Sequence, residues 1–170
     1  MTFAGRIEEF DGPTPSVRYR WDPETEILSG VIEGAAGESG YTGAIELEDP
    51  AGAFVTLDLQ DGALRAVEVV VWPETETVED LSPPTEVVGG RLRVPPRPSQ
   101  PGIALVEMDV AMRAERTPDS RSYRLSVGPR RKSKTYRLAD NLLIEMDNAG
   151  QPAGFWLLNV PLFPEEKRRP

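Results

Sequence analysis

The stretch Val55-Thr56-Leu57-Asp58-Leu59-Gln60-Asp61-Gly62-Ala63-Leu64-Arg65-Ala66-Val67-Glu68-Val69-Val70-Val71-Trp72 decides how the chain reads. Val55, Leu57 and Leu59 alternate with Thr56, Asp58 and Gln60, the period of a strand with one face buried and one face wet. Asp61-Gly62 then supplies two positions that tolerate positive φ, the strongest short-range hairpin signal. Ala63–Trp72 reads as the returning strand, more apolar than the first. A hairpin of this kind sets the expectation of an all-β fold.

A second stretch reads the same way. Leu142, Ile144 and Met146 alternate, Asp147-Asn148-Ala149-Gly150 turns the chain, and Ala153–Val160 returns it. Leu57-Asp58-Leu59 aligns with Ile144-Glu145-Met146, and Ala66-Val67-Glu68-Val69-Val70 with Gly154-Phe155-Trp156-Leu157-Leu158. The later turn holds one extra residue, which a turn ending in Gly absorbs as a bulge. This correspondence suggests an internal duplication. Further strands are expected at Val17–Trp21, Glu26–Glu33, Tyr41–Glu48, Ile103–Arg113 and Arg121–Val127, with a short hairpin around Glu86–Val94. Leu105–Arg116 is the one helix candidate, and its strict alternation favours a strand. Asp22-Pro23-Glu24-Thr25 and Asp49-Pro50-Ala51-Gly52 carry type I turn chemistry. The expected architecture is two pseudo-equivalent antiparallel β-sheets, forming a sandwich or paired small barrels.

Charge divides the chain. Residues 1–90 hold 19 acids and 4 bases, a net of −15, and residues 91–170 hold 9 acids and 15 bases, a net of +6, within an overall −9. Between them Pro73, Pro83, Pro84, Pro95, Pro96, Pro98 and Pro101 break regular structure. The reading is an acidic β lobe over 1–72, a Pro/Gly-rich connector over 73–102, and a basic β lobe over 103–170 that resembles the first.

Composition removes several function classes. The 170 residues contain no Cys and no His. Disulfide frameworks, Cys- or His-ligated metal and haem sites, and His-dependent nucleophilic catalysis are therefore excluded. The acidic balance disfavours nucleic acid and anionic membranes. No window approaches the roughly 18 consecutive apolar residues of a membrane helix, and the first residues lack a signal-peptide pattern. Cytoplasmic localisation is the expectation.

Arg20-Trp21-Asp22-Pro23-Glu24-Thr25-Glu26-Ile27-Leu28 and the Asp58–Val71 hairpin, with Glu68 in its second strand, resemble a short bacterial domain family of uncharacterised function. That family opens on an Asp-Pro-Glu phrase and closes on an Asp, Gly-turn, Glu hairpin. The later lobe retains only the close, from Glu145 to Leu158, with Trp156 in the place of Glu68. The resemblance implies β-hairpins and no particular activity.

Three site readings remain. Asp58 and Glu68, facing each other across one hairpin, with Glu145 in the later lobe, are the carboxylates of a possible enzyme or carbohydrate-binding site. Glu46, Glu48 and Asp49 form an acidic run that could hold a hard cation but lacks a dedicated loop pattern. The Gly30–Gly43 loop has no Lys-Ser/Thr and reads as a flexible hairpin loop rather than a phosphate cradle. Arg130, Arg131, Lys132, Lys134 and Arg137, with Tyr136 among them, form the sharpest local feature. They suit contact with a protein partner or an acidic lobe, or more weakly nucleic-acid contact. Trp72, Trp156 and Phe163 read as core rather than as a sugar-stacking platform. Weighed together, these features favour a non-enzymatic β-rich interaction module that binds a protein partner or its own copies, with no cofactor and no metal.

Overall fold

The computed structural model describes residues 5–34, 37, 39–96 and 105–164. It is all-β, with 54% of the described residues in strands and no helix among them. The strands run β1 Arg6–Glu9, β2 Ser16–Trp21, β3 Leu28–Glu33, β4 Gly43–Glu48, β5 Phe54–Gln60, β6 Ala63–Val71 and β7 Thr75–Thr77. They continue with β8 Val88–Arg93, β9 Leu105–Asp109, β10 Met112–Arg116, β11 Tyr123–Val127, β12 Ser133–Ala139, β13 Leu142–Asp147 and β14 Pro152–Leu157.

Alternating burial explains strands such as β5, whereas β13 is buried on both faces. In β5, Val55, Leu57 and Leu59 are buried, and Asp58 and Gln60 are exposed. The Asp61-Gly62 turn takes φ of 51° and 83°, the double positive φ of a type I′ hairpin. Both Asp-Pro segments turn the chain, the first closed by Glu26 N donating to Asp22 O at 2.8 Å and the second by Gly52 N donating to Asp49 O at 2.8 Å. The Asp22 carboxylate accepts from Glu24 N at 2.9 Å and that of Asp49 from Ala51 N at 2.5 Å.

The expected pair of sheets is not what forms. All strands belong to one continuous, strongly curled sheet, whose main path is β7-β10-β11-β14-β13-β12-β8-β6-β5-β4-β9. The joining strand is β8, antiparallel to β6 through Ala63↔Arg93 and parallel to β12 through Tyr136↔Val88. Curling follows from connectivity. β9 and β10 sit nine strand positions apart, roughly 43 Å in a flat sheet. Yet only Val110 and Ala111 separate them, a link that spans at most about 11 Å. The sheet must wrap until its ends meet. The link is bonded on both sides, Val110 N to Glu48 O at 2.9 Å and Gly128 N to Ala111 O at 2.8 Å.

Wrapping produces one hydrophobic core. Leu57, Val67, Ile45 and Val106 from the first part of the chain pack in the same buried cluster as Leu125, Ile144, Phe155 and Leu157 from the last. An aromatic group also joins the two, with Trp21 stacked on Trp72 at 5.7 Å, Phe163 edge-on to Trp21 at 5.4 Å, and Tyr123 against Trp72 at 4.9 Å. Trp21 Nε1 donates to Pro161 O at 2.7 Å, and the Tyr19 hydroxyl donates to Asn141 O at 2.5 Å. Burial pushes the Tyr19 hydroxyl above the ordinary tyrosine pKa.

Within the single sheet, two stretches pair in the same order. Residues 16–71 run β2-β3-β6-β5-β4 and residues 112–157 run β10-β11-β14-β13-β12. The registers coincide as well. Leu57↔Val67 and Asp58↔Ala66 in one hairpin match Ile144↔Phe155 and Glu145↔Gly154 in the other, and each pairing shifts at its next residue.

Several local expectations change. The stretch expected as a connector contributes β7, parallel to β10, and β8, a single strand where a hairpin was expected. The expected Ile103–Arg113 strand is broken at Val110-Ala111 into β9 and β10, and its residues 103–104 lie outside the described residues. β9 pairs in parallel with β4, so residues 105–109 complete the first stretch rather than the second.

Candidate functional site

The three candidate carboxylates do not converge. Asp58 is exposed and stands opposite Ala66 and Ala44, not opposite Glu68. Glu68 stands opposite Thr56 and Ser29, and accepts a hydrogen bond from Ser29 Oγ at 2.9 Å. The bulge after Asp58 sets this register, leaving the two acids a diagonal step apart on the outward face.

Glu145 lies in the other half of the sheet and is buried. Arg124 clamps it with two hydrogen bonds, Nε to Oε2 at 3.0 Å and the second terminal nitrogen to Oε1 at 3.1 Å. That fork is the strong geometry for a carboxylate. The hydrogen bond to Glu145 raises the Arg124 guanidinium above its ordinary pKa, with Glu115 adding at 3.6 Å. The same guanidinium lies 5.6 Å from the Trp156 ring. Gly154 makes room beneath, since a Cβ there would stand 2.8 Å from both Glu145 Oε2 and Leu125 O. This arrangement pairs the buried Glu145 carboxylate and engages both of its oxygens.

The basic segment separates into three kinds of residue. Arg131 is internal wiring. Its Nε donates to Asp147 Oδ2 at 2.7 Å, and its terminal nitrogens donate to Val127 O at 2.8 Å, Pro129 O at 2.8 Å and Pro152 O at 2.9 Å. Burial pushes the Asp147 carboxyl upward, but Arg131 and the amides of Gln151 and Ala149 outweigh it and hold the pKa below the usual value. Lys134 pairs with Glu9 at 3.6 Å and sits 5.2 Å over the Tyr136 ring, and Arg137 donates to Asp140 O at 2.9 Å. Tyr136 is packed against the core, so little of its ring is left for a base to stack on. Arg130 and Lys132 are exposed and have no ion-pair partner among the described residues. From Ser133 onward the run is β12, held between β13 and β8.

A different charged surface forms where sequence alone shows only part of it. Parallel pairing of β4 with β9 puts Glu46 beside Glu107 and Glu48 beside Asp109 on the outward face. Four carboxylates thus share two adjacent strands, and like charges side by side destabilise a sheet. Asp49 is not one of them. Its carboxylate accepts from Met112 N at 2.7 Å and Ala51 N at 2.5 Å, which lowers its pKa. Among the described residues no three acidic side chains stand close enough to hold a metal ion. Nor does any described helix have the length and apolarity to cross a membrane.

Trp156 and Leu143 are buried, though they lie on the face of their hairpin opposite the main core. Trp72 and Phe163 are half-buried and turned against other aromatics. No family model matches the chain, and no curated protein matches it.

Proposed function

We propose that this chain is a non-enzymatic interaction module that pairs with a second copy of itself. The observation that carries this reading is the outward acidic row Glu46, Glu48, Glu107 and Asp109, set against exposed Arg130 and Lys132 on the turn before β12, which have no ion-pair partner among the described residues. The like-charged row costs stability that a cationic partner recovers. In a two-fold dimer each copy's turn meets the other's row, so the complementarity is used twice. The clamped state of Glu145 and the outward placement of Asp58 and Glu68 support binding over catalysis. On this reading the module works in the cytoplasm as a tandem duplication related to the short bacterial domain family. The matched pairing orders and registers of residues 16–71 and 112–157 support the duplication.

Light scattering on a sizing column tests the proposal, at about 0.05 M and about 1 M salt, because screening shortens from roughly 14 Å to roughly 3 Å over that range. The expected result is a dimer at low salt that dissociates at high salt and is absent in R130E/K132E. Arg131 is left intact because it ties β11 to the β13–β14 turn, and Lys134 because it is already paired with Glu9. A monomer under every condition, or a dimer indifferent to salt and charge reversal, would overturn the reading.

A further inference from the structure

The outer edge of β6 is contested by two strands. β3 occupies it at Ala66–Val69, and β8 reaches it only at Ala63. Where β3 runs on past Val31 it must splay away from β8, because one strand edge cannot pair with two neighbours at the same height. The fork leaves a cleft of about 260 Å³, closed on one side by residues 13–15.

Its lining is of two kinds. Ile32, Leu64, Leu92 and Leu138 are buried residues of the core that also form the floor. The polar groups on its lining are Arg91, Thr14 and Glu33. Glu33 is held by Arg18 at 2.6 Å, which offsets its charge. Arg91 makes no ion pair among the described residues, and its guanidinium carbon lies over the Phe10 ring, 3.6 Å from the centroid. That stacking orients the fork of donors without consuming them. The 13–15 wall is pinned as well, by Asp140 N donating to Pro15 O at 2.9 Å and Val17 N donating to Asp140 Oδ1 at 3.0 Å. An apolar, preformed concavity with a few polar groups at its rim is the usual form of a small-molecule site.

We propose that this cleft binds a small amphipathic monocarboxylate, its apolar body on the Ile32, Leu64, Leu92 and Leu138 floor and its carboxylate on Arg91 with Thr14 beside it. A cleft of about 260 Å³ suits a compound the size of hexanoate or benzoate. Arg91 selects the anion, and the leucines select the apolar tail. The site is independent of the proposed self-association, which uses β4, β9 and the turn before β12.

Amide chemical-shift titrations of the full chain with hexanoate, hexanol and hexylamine test the proposal. The expected result is saturable shifts at residues 14, 32–34, 63–64, 90–92 and 138 with hexanoate, at a Kd of ~1 mM or tighter. Hexanol should bind more weakly and hexylamine more weakly still. The exposed position of Arg91 makes R91Q a folded variant, verified by its unchanged spectrum elsewhere. R91Q should weaken hexanoate about tenfold and leave hexanol unchanged, whereas R130Q should change neither. Shifts spread over the surface, equal binding of all three probes, or hexanoate affinity indifferent to R91Q would each overturn it.

Discussion

Arg131 is the residue whose role the structure redefines most sharply, and removing it gives the most direct test of that role. Its guanidinium makes one charged bond to Asp147 and three to the carbonyls of Val127, Pro129 and Pro152, so it ties the end of β11 to the β13–β14 turn. In R131A the Asp147 side chain, 13% exposed, keeps its bonds from Ala149 N and Gln151 N but loses its cation. Breaking a fully buried pair from one side costs about 3–5 kcal/mol. Arg131 itself is 26% exposed, so water recovers part of that loss and about 2–3 kcal/mol is expected. Urea unfolding at neutral pH measures it as a lower midpoint with an unchanged slope. R131A, D147N and the double variant close a cycle, in which a coupling of at least about 1 kcal/mol is expected. R130A and K132A, two exposed neighbours, should stay within about 0.5 kcal/mol of the parent. If R131A is equally silent, the latch does not exist as described.

Three other outcomes follow from the same geometry. F155A empties a position that is fully buried in the core and should cost about 3–5 kcal/mol by urea unfolding. G154A drives a methyl group against Leu125 O, which is backbone and cannot step aside. A loss of about 1–3 kcal/mol is expected, and a variant as stable as the parent would contradict the packing around Glu145. The Asp49 and Asp147 pKa values are lowered in the folded state, so the unfolded chain takes up protons first as pH falls. Their stabilisation should be complete above about pH 5 and fade as pH drops through about 4 toward the folded values. D147N should flatten that part of the thermal-stability profile.

The hairpins were legible in the sequence because their causes are local. Alternation at Val55–Gln60 and Leu142–Asp147, positive-φ residues at Asp61-Gly62, and a Gly at position 150 act over a few residues and specify strand, turn and register together. For the same reason the alignment of Glu145 with Asp58 reads directly from the sequence and is matched by the strand registers. The chemistry of those two positions does not read the same way. Only tertiary pairing of β11 with β14 brings Arg124 over Glu145, whereas at the corresponding point of the first hairpin Asp58 is left in water.

Long-range pairing decided the rest. The excess of bases over 130–137 was visible as composition, but nothing local separates Arg131, which bonds across to Asp147 and Pro152, from Arg130, which meets no ion-pair partner among the described residues. The acidic row was half visible at Glu46 and Glu48. Its other half, Glu107 and Asp109, lies some 60 positions away and joins through a parallel pairing that leaves no periodic trace in sequence. The Val110-Ala111 break reads as unbroken alternation, because a strand that leaves one end of the sheet and enters the other keeps its in–out pattern. Composition and local period thus determined an all-β chain with two like hairpins. Only the closing of the curled sheet decided which charges are buried and paired, which stand in water, and where β3 and β8 part to leave a cleft.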